Sequence, residues 1–241
     1  MTRQPRLALA SALVLGVALP AAAADSLKTV EQKIIKAWQQ HKSMTAKLKI
    51  ATQMKQGDKT VNGGGEGTYE FVRKGKLTPY RMEVKGQSVI KSDGEETAQD
   101  YHNTAISDGK FIHSLMDVGG KPFATKMKVV PGNSPDPKGM FQMLRKVYQL
   151  KLLPPGKIDG KEVYVIEASP RRKRGPIVMR MRLCYSHDGV LVRQVVSDSA
   201  GKSKMTSTYT DIKFDVKIDP ERFVFKPPPG VTVREVTPPQ Q

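Results

Sequence analysis

Two spacings of apolar residues divide the chain. Leu27, Val30, Ile34, Ile35 and Trp38 recur at helical intervals, with Lys28, Glu31, Gln32, Lys36 and Gln39 on the other face. This predicts an amphipathic helix over residues 25–41, with Asp25 or Ser26 as its cap. From Met44 the period becomes two. Met44, Ala46, Leu48, Ile50, Thr52 and Met54 alternate with mostly polar neighbours, as on a half-buried strand. Residues 67–74, 79–85 and 87–91 read as further strands; in the middle one Tyr80, Met82 and Val84 alternate with Arg81, Glu83 and Lys85. The glycine-rich stretch 57–67 reads as a hairpin connection. No Gly-Lys-Ser/Thr follows it, and no helix opens after it, as a phosphate loop requires. Residues 93–99 are polar and read as a loop, and Asp108-Gly109 as a turn. Strands are expected after that turn and up to Val130. A second helix is expected from Pro137 or Lys138 to about Gln149, its apolar face formed by Met140, Phe141, Leu144, Val147 and Tyr148. The last third is strand after strand, with His187-Asp188-Gly189 as a hairpin turn. Many short strands and two helices predict an all-antiparallel sheet with helices on one side.

The first residues change the setting. Arg3 and Arg6 precede an apolar run over 7–19, then Pro20 and small residues up to Ala24. This is the order of a secretory signal peptide, cleaved after Ala24. The run is shorter than the roughly 20 residues that span a bilayer. No Cys follows the cleavage point, so no lipid anchor is expected. Residues 25–233 read as one domain and 234–241 as a flexible tail. The formal net charge is +17, of which Arg3 and Arg6 account for two, leaving +15 after cleavage. So basic a secreted chain is expected to meet an anionic membrane surface or an acidic envelope protein, not nucleic acid. Cys184 is the single cysteine, which excludes an internal disulfide.

No catalytic residue, metal ligand or cofactor is expected. His41, His102, His113 and His187 lack the spacing of a zinc helix, and there is no Cys pair. Ser186-His187-Asp188 spells a triad, but neighbours in sequence cannot converge as one, and the turn explains the same residues. Cys184 shares its stretch with Arg180 and Arg182, which favour a thiolate, yet no base is tied to it. Arg171, Arg172, Lys173 and Arg174 sit between Pro170 and Gly175-Pro176 on a hairpin tip. They read either as a solvated loop or as a docking patch for an anionic lipid or acidic partner. The run has no interleaved aromatic for stacking on nucleic acid.

Taken in order, several segments resemble the periplasmic lipoprotein-carrier family, the LolA-like proteins. They are a leader followed at once by a helix bearing Trp38, the alternating strand from Met44, and the proline-led strand Pro79-Tyr80-Arg81-Met82-Glu83. The turn Ser107-Asp108-Gly109-Lys110 and the closing segment with Phe223, Phe225, Pro227, Pro229, Gly230 and Val231 complete them. The Arg171–174 run and the glycine-rich segment depart from the family pattern. The resemblance implies an unclosed β-barrel: a strongly curved antiparallel sheet whose concave face is covered by helices and holds acyl chains, without cofactor or covalent chemistry. It makes Trp38, Met82, Met116, Met140, Phe141, Leu144, Met179 and Met181 the expected lining of a lipid cavity. Methionine suits an adaptable site, being unbranched and polarizable; the same residues serve equally as ordinary core. Arg81 matches the family's strand arginine and would hold the lid or meet a headgroup. The function implied is a periplasmic carrier of lipid or lipoprotein acyl chains. The alternative is an envelope-stress or regulatory protein that grips an acidic partner on the same scaffold.

Overall fold

The computed structural model describes residues 25–130, 132–171, 179–198 and 200–237. The expected leader (1–24), Arg172, Lys173 and Arg174 lie outside these residues. Twelve strands form one sheet in the order β12-β6-β5-β4-β3-β2-β1-β11-β10-β9-β8-β7. Its end strands, β12 and β7, do not meet, so the barrel is unclosed.

Helix α1 spans Leu27–Trp38, and Ser26 caps it by accepting from the Thr29 amide. It leads into β1 (Ser43–Gln56). A two-residue turn then gives β2 (Lys59–Val72), so Gly63, Gly64, Gly65 and Gly67 lie inside a strand, not in the connection expected for them. The reason lies in the pairing. Gly67 stands opposite Val84, and Gly65 opposite Gly86. A Cβ on Gly67 would lie 1.7 Å from the Glu83 carbonyl oxygen, and one on Gly86 2.1 Å from that of Gly64. The two strands press together on one face, where glycine marks a sheet corner. The Tyr101 side chain lies over this crease, its Oη 2.6 Å from where a Gly65 Cβ would sit.

Strands β3 (Tyr80–Ser92) and β4 (Glu95–Ser107) form one long hairpin turning at Asp93-Gly94. The expected loop over 93–99 is therefore mostly strand, and the two strands expected over 79–91 are one. Both faces of residues 95–98 are exposed, which leaves no alternation to read. β5 (Phe111–Val118) and β6 (Lys121–Lys128) follow. Helix α2 spans Pro137–Val147, N-capped by Asp136, and gives way at once to β7 (Tyr148–Ile158). β8 (Lys161–Pro170), β9 (Met179–Tyr185), β10 (Leu191–Asp198) and β11 (Lys204–Phe214) complete the antiparallel part, with β11 returning to pair with β1.

The chain then crosses the outer face of the sheet. Arg222, in the turn Pro220–Phe223, donates through Nε to Glu70 Oε1 at 2.5 Å. The Phe225 ring stacks on His113 at 4.9 Å. β12 (Val233–Glu235) pairs with β6 in parallel, so the sheet is not wholly antiparallel as expected. Residues 234 and 235 of the expected tail belong to this strand.

Burial holds the His113 imidazole below its ordinary pKa of 6.5; Lys126 acts in the same sense and Asp108 against it. The unfolded chain therefore takes up a proton near pH 6.5, before the folded chain does. This contribution to stability is present above pH 6.5 and is lost as the pH falls below it. Unfolding midpoints measured from pH 7.5 down to 5 are expected to fall for the wild type, and less steeply for His113→Phe.

Helices and sheet meet on one face. Val30 and Ile34 of α1 and Phe141 and Leu144 of α2 pack on Ile166, Ala168, Leu183 and Tyr185 of β8 and β9. The end of α1 continues over β1 and β2, where Trp38 packs with Met44, Ala46 and Phe71. Neither cluster reaches β4, β5 or β6. Arg145 Nη2 donates to Glu31 Oε2 at 2.6 Å and links the two helices.

Candidate functional site

At the boundary between the helix-covered and uncovered parts of this face lies a cavity of about 220 Å³. Its roof is Trp38, Met140 and the segment 132–135 that leads into α2. Its floor is Met44, Tyr69, Phe71 and Tyr80, with Tyr185, Gln194 and Tyr209 from the far half of the sheet. Among the described residues no charged side chain lines it. The register explains the assembly. Met44 pairs with Phe71, Phe71 with Tyr80, Ala46 with Tyr69 and Leu48 with Tyr209, so these side chains share one face. The rings interlock: Tyr69 meets Tyr209 edge-on at 5.4 Å and lies 6.2 Å from Tyr80.

Two contacts fix the roof. Arg73 lies over the Trp38 ring, 5.3 Å from its centroid, and its Nη2 donates to the Gln39 carbonyl. Gly189, at φ +80°, lies under α1 so closely that a Cβ would come within 2.3 Å of the Ile34 oxygen. The Ser186–Gly189 sequence is thus a turn that seats the helix. Within it the Gly189 amide donates to the Ser186 carbonyl at 3.0 Å, and the His187 ring stacks on Tyr164.

Burial pushes the pKa of the Tyr80 phenol up to about 12 and raises those of Tyr69, Tyr185 and Tyr209. Each of the first three is raised further by the charge on a neighbouring tyrosine, and Tyr185 also by Glu31 and Asp136. All four are therefore O–H donors at neutral pH. Tyr80 Oη is 3.5 Å from the Asn133 carbonyl. Among the described residues the other three hydroxyls make no hydrogen bond, and none of them is a sealed, unpaired buried atom. All three tyrosines line the cavity.

Of the residues expected to line a lipid cavity, Trp38 and Met140 border the cavity described above. Phe141 and Leu144 lie instead in the packed core beneath α2, at 3% and 0% exposure. Met181 pairs with Ala168 and packs at the edge of that core; Met179 is half-buried at the start of β9. Met82 pairs with Tyr69 and Ala105, which puts it on the cavity's face one step beyond the floor. Met116 shares that face, opposite Asn103 and Phe123. With Met127 they form a broken, half-buried methionine stripe on the uncovered inner face of β3–β6, interrupted by Ser114 and Thr125.

Arg81 points to the outer face, with Glu70 and Ile106 as its neighbours across the sheet, and donates to Glu83 at 2.9 Å. It does not make the lid contact expected of it. Arg171 is exposed, and its Nε reaches the carbonyls of Arg145 and Tyr148 at the end of α2. Cys184 is buried, and burial raises its thiol pKa against the opposing pull of Arg193 and Arg182. The arginines alone had pointed the other way.

The sequence reading passed over Tyr69, Tyr185, Tyr209 and Gln194. They come from four strands and meet only through the pairing of β1 with β11 and of β9 with β10. The available signal was weak: each is at the inner-facing phase of its own strand.

Among the described residues no helix is long and apolar enough to cross a membrane. No protein-family model matches the chain, and no curated protein matches it. Solved structures do. The crystal structure of MucB is 14% identical over 81% of this chain, with a TM-score of 0.41. The chain spans 61% of MucB's own length. MucB also occurs in a complex with MucA from Pseudomonas aeruginosa. A beta-barrel-like protein of unknown function from Brucella abortus is 10% identical, with 73% of this chain and 99% of that one covered and a TM-score of 0.42. A LolA superfamily protein from Nitrosomonas europaea is 13% identical, with 84% and 99% covered and a TM-score of 0.32. The superfamily that the sequence motifs resemble is thus represented among the structural neighbours, at a likeness that conveys no residue roles.

Proposed function

We propose that the protein binds a lipid or lipoprotein acyl chain and carries it within the periplasm, without covalent chemistry. The observation that carries this reading is the uncharged, aromatic cavity under the two helices, with Met82 beside its Tyr69 and Met116 and Met127 farther along the same uncovered face. A volume of 220 Å³ lies below the roughly 300–1,000 Å³ of pockets that enclose drug-sized ligands. It takes a short group only, so a longer chain runs out along the stripe. Each methylene removed from water is worth about 0.8 kcal/mol, which makes such a path effective for an acyl chain. The leader expected over 1–24 supplies the compartment, and the mature charge of +15 an attraction to anionic membrane surfaces.

The test is native mass spectrometry of mature protein purified from a bacterial periplasm, followed by organic extraction. A bound mass that extracts as lipid is expected. A clean apo mass, with no uptake of added fatty acid, overturns the reading. Met82→Glu and Met116→Glu are each expected to weaken uptake of a fluorescent fatty acid at least about tenfold, by placing a charge in an apolar path. Their unfolding midpoints are expected to stay near the wild type, because both side chains are half-buried and outside the packed clusters.

A second reading, an envelope-stress or regulatory protein gripping an acidic partner, draws on the charge and on the exposed Arg171 beside the basic run. It requires one stoichiometric protein in a pull-down, released by salt and by neutralising Arg171 to Arg174.

A further inference from the structure

Among the described residues the hydroxyls of Tyr69, Tyr185 and Tyr209 make no hydrogen bond, which is out of place in a site that binds only hydrocarbon. A phenol that finds no acceptor costs desolvation energy, and phenylalanine would fill the same space without it. Here the three tyrosines come from β2, β9 and β11 to line one small cavity, and Gln194 of β10 joins them in its wall. The rings of Tyr69 and Tyr209 are held edge to face, and that of Tyr185 is held against Phe141 at 5.5 Å. The donors are therefore fixed before any ligand arrives.

The charges around the cavity limit what those donors can meet. Among the described residues no Lys or Arg lines it. The two carboxylates on the helices above it are engaged elsewhere, Glu31 by Arg145 and Asp136 by the amides that open α2. A carboxylate or phosphate brought here would be desolvated with no cation in the lining to pair with it, because Arg145 is already engaged by Glu31 and Arg73 lies on the outer side of the Trp38 roof. A neutral acceptor avoids that cost and still takes the hydroxyl protons.

We propose that the tyrosine cluster recognises an uncharged, acceptor-bearing group, the ester neck of a glyceryl lipid, and discriminates against a free fatty-acid carboxylate. The proposal rests on the lipid reading above and names the part of the lipid that enters the cavity. The ester carbonyl and glycerol oxygens meet Tyr69, Tyr185, Tyr209 and Gln194, and the acyl chain leaves past Tyr80 toward Met82.

Trp38 is the single tryptophan and lies in the cavity roof, so its fluorescence reports on occupancy directly. The experiment titrates the mature protein with 1-decanoylglycerol and, separately, with sodium decanoate at pH 7.5, both below their micelle-forming concentrations. The expected result is at least about tenfold tighter binding of the glyceryl ester, the scale of one or two hydrogen bonds. The variant with Tyr69→Phe, Tyr185→Phe and Tyr209→Phe keeps the rings and is expected to bind the two ligands within about twofold of each other. If the triple variant does not fold, Tyr209→Phe alone, at a half-buried ring, is expected to narrow the ratio. A wild-type ratio near one, a preference for decanoate, or a preference that survives loss of the hydroxyls overturns the proposal and leaves the lipid reading standing. No response of Trp38 to either ligand overturns both.

Discussion

Gly67→Ala is expected to leave little folded protein. A single methyl group there lands 1.7 Å from the Glu83 oxygen and 2.9 Å from the Val84 Cα. Both are backbone atoms of the adjacent strand, with no side chain free to turn aside. Relief requires β2 and β3 to separate where the sheet turns its corner, which breaks ladder hydrogen bonds on both sides. A loss above about 4 kcal/mol is expected, a large part of the roughly 5–15 kcal/mol that holds a domain together. Gly64→Ala is the control. It lies in the same strand on the opposite face, where the nearest atom to a new Cβ is the Ile50 oxygen at 3.3 Å. Its cost is expected to stay within about 1 kcal/mol. Urea unfolding followed by circular dichroism distinguishes the two. Equal midpoints for both variants would show that the crease is not what the glycines serve.

The second large effect separates core from cavity. Phe141→Ala is expected to cost about 3–5 kcal/mol, because the ring is 3% exposed and packs against Tyr185 and the base of α1. Met82→Ala is expected to cost less than about 1.5 kcal/mol, since its half-buried side chain faces the uncovered trough. Binding of an acyl probe should respond to Met82→Ala at a temperature where the protein remains fully folded. If instead Met82→Ala destabilises as much as Phe141→Ala, the methionine stripe is core and the carrier reading loses its path.

Phe141 and Met82 also show what the sequence could convey. Both are apolar residues at the correct phase of their elements, and that phase was legible. Helix α1 with its Ser26 cap, helix α2 from Pro137 and the strand from Met44 all carry a periodic signal strong enough to place them. Whether an apolar position faces a helix or open space depends on where distant elements lie, and nothing local records that. The same reasoning covers the strands that were missed. Residues 95–98 of β4 are wet on both faces and have no alternation. β7 holds Pro154, Pro155 and Gly156, breakers tolerated because it is an edge strand with a bulge at that point. The glycine-rich stretch has the composition of a loop, and only its partners 20 residues on show that it is a corner. The tyrosine cavity needs the registers of β1 with β2 and of β1 with β11, and no spacing in the chain reports them.

The parallel strand at the sheet's margin bears on how the molecule comes into being. β6 is complete once residue 128 has been made, yet its free edge is covered only by Val233, Arg234 and Glu235. β1, formed first, likewise waits for β11. A chain emerging from its N-terminus thus passes through a long interval with two strand flanks open, and such flanks recruit other chains. Pairing across so many residues is also slow to find. In a chain delivered across a membrane from its N-terminus, a holding factor that shields β-edges until residues 204–235 arrive is expected to raise the yield of folded protein.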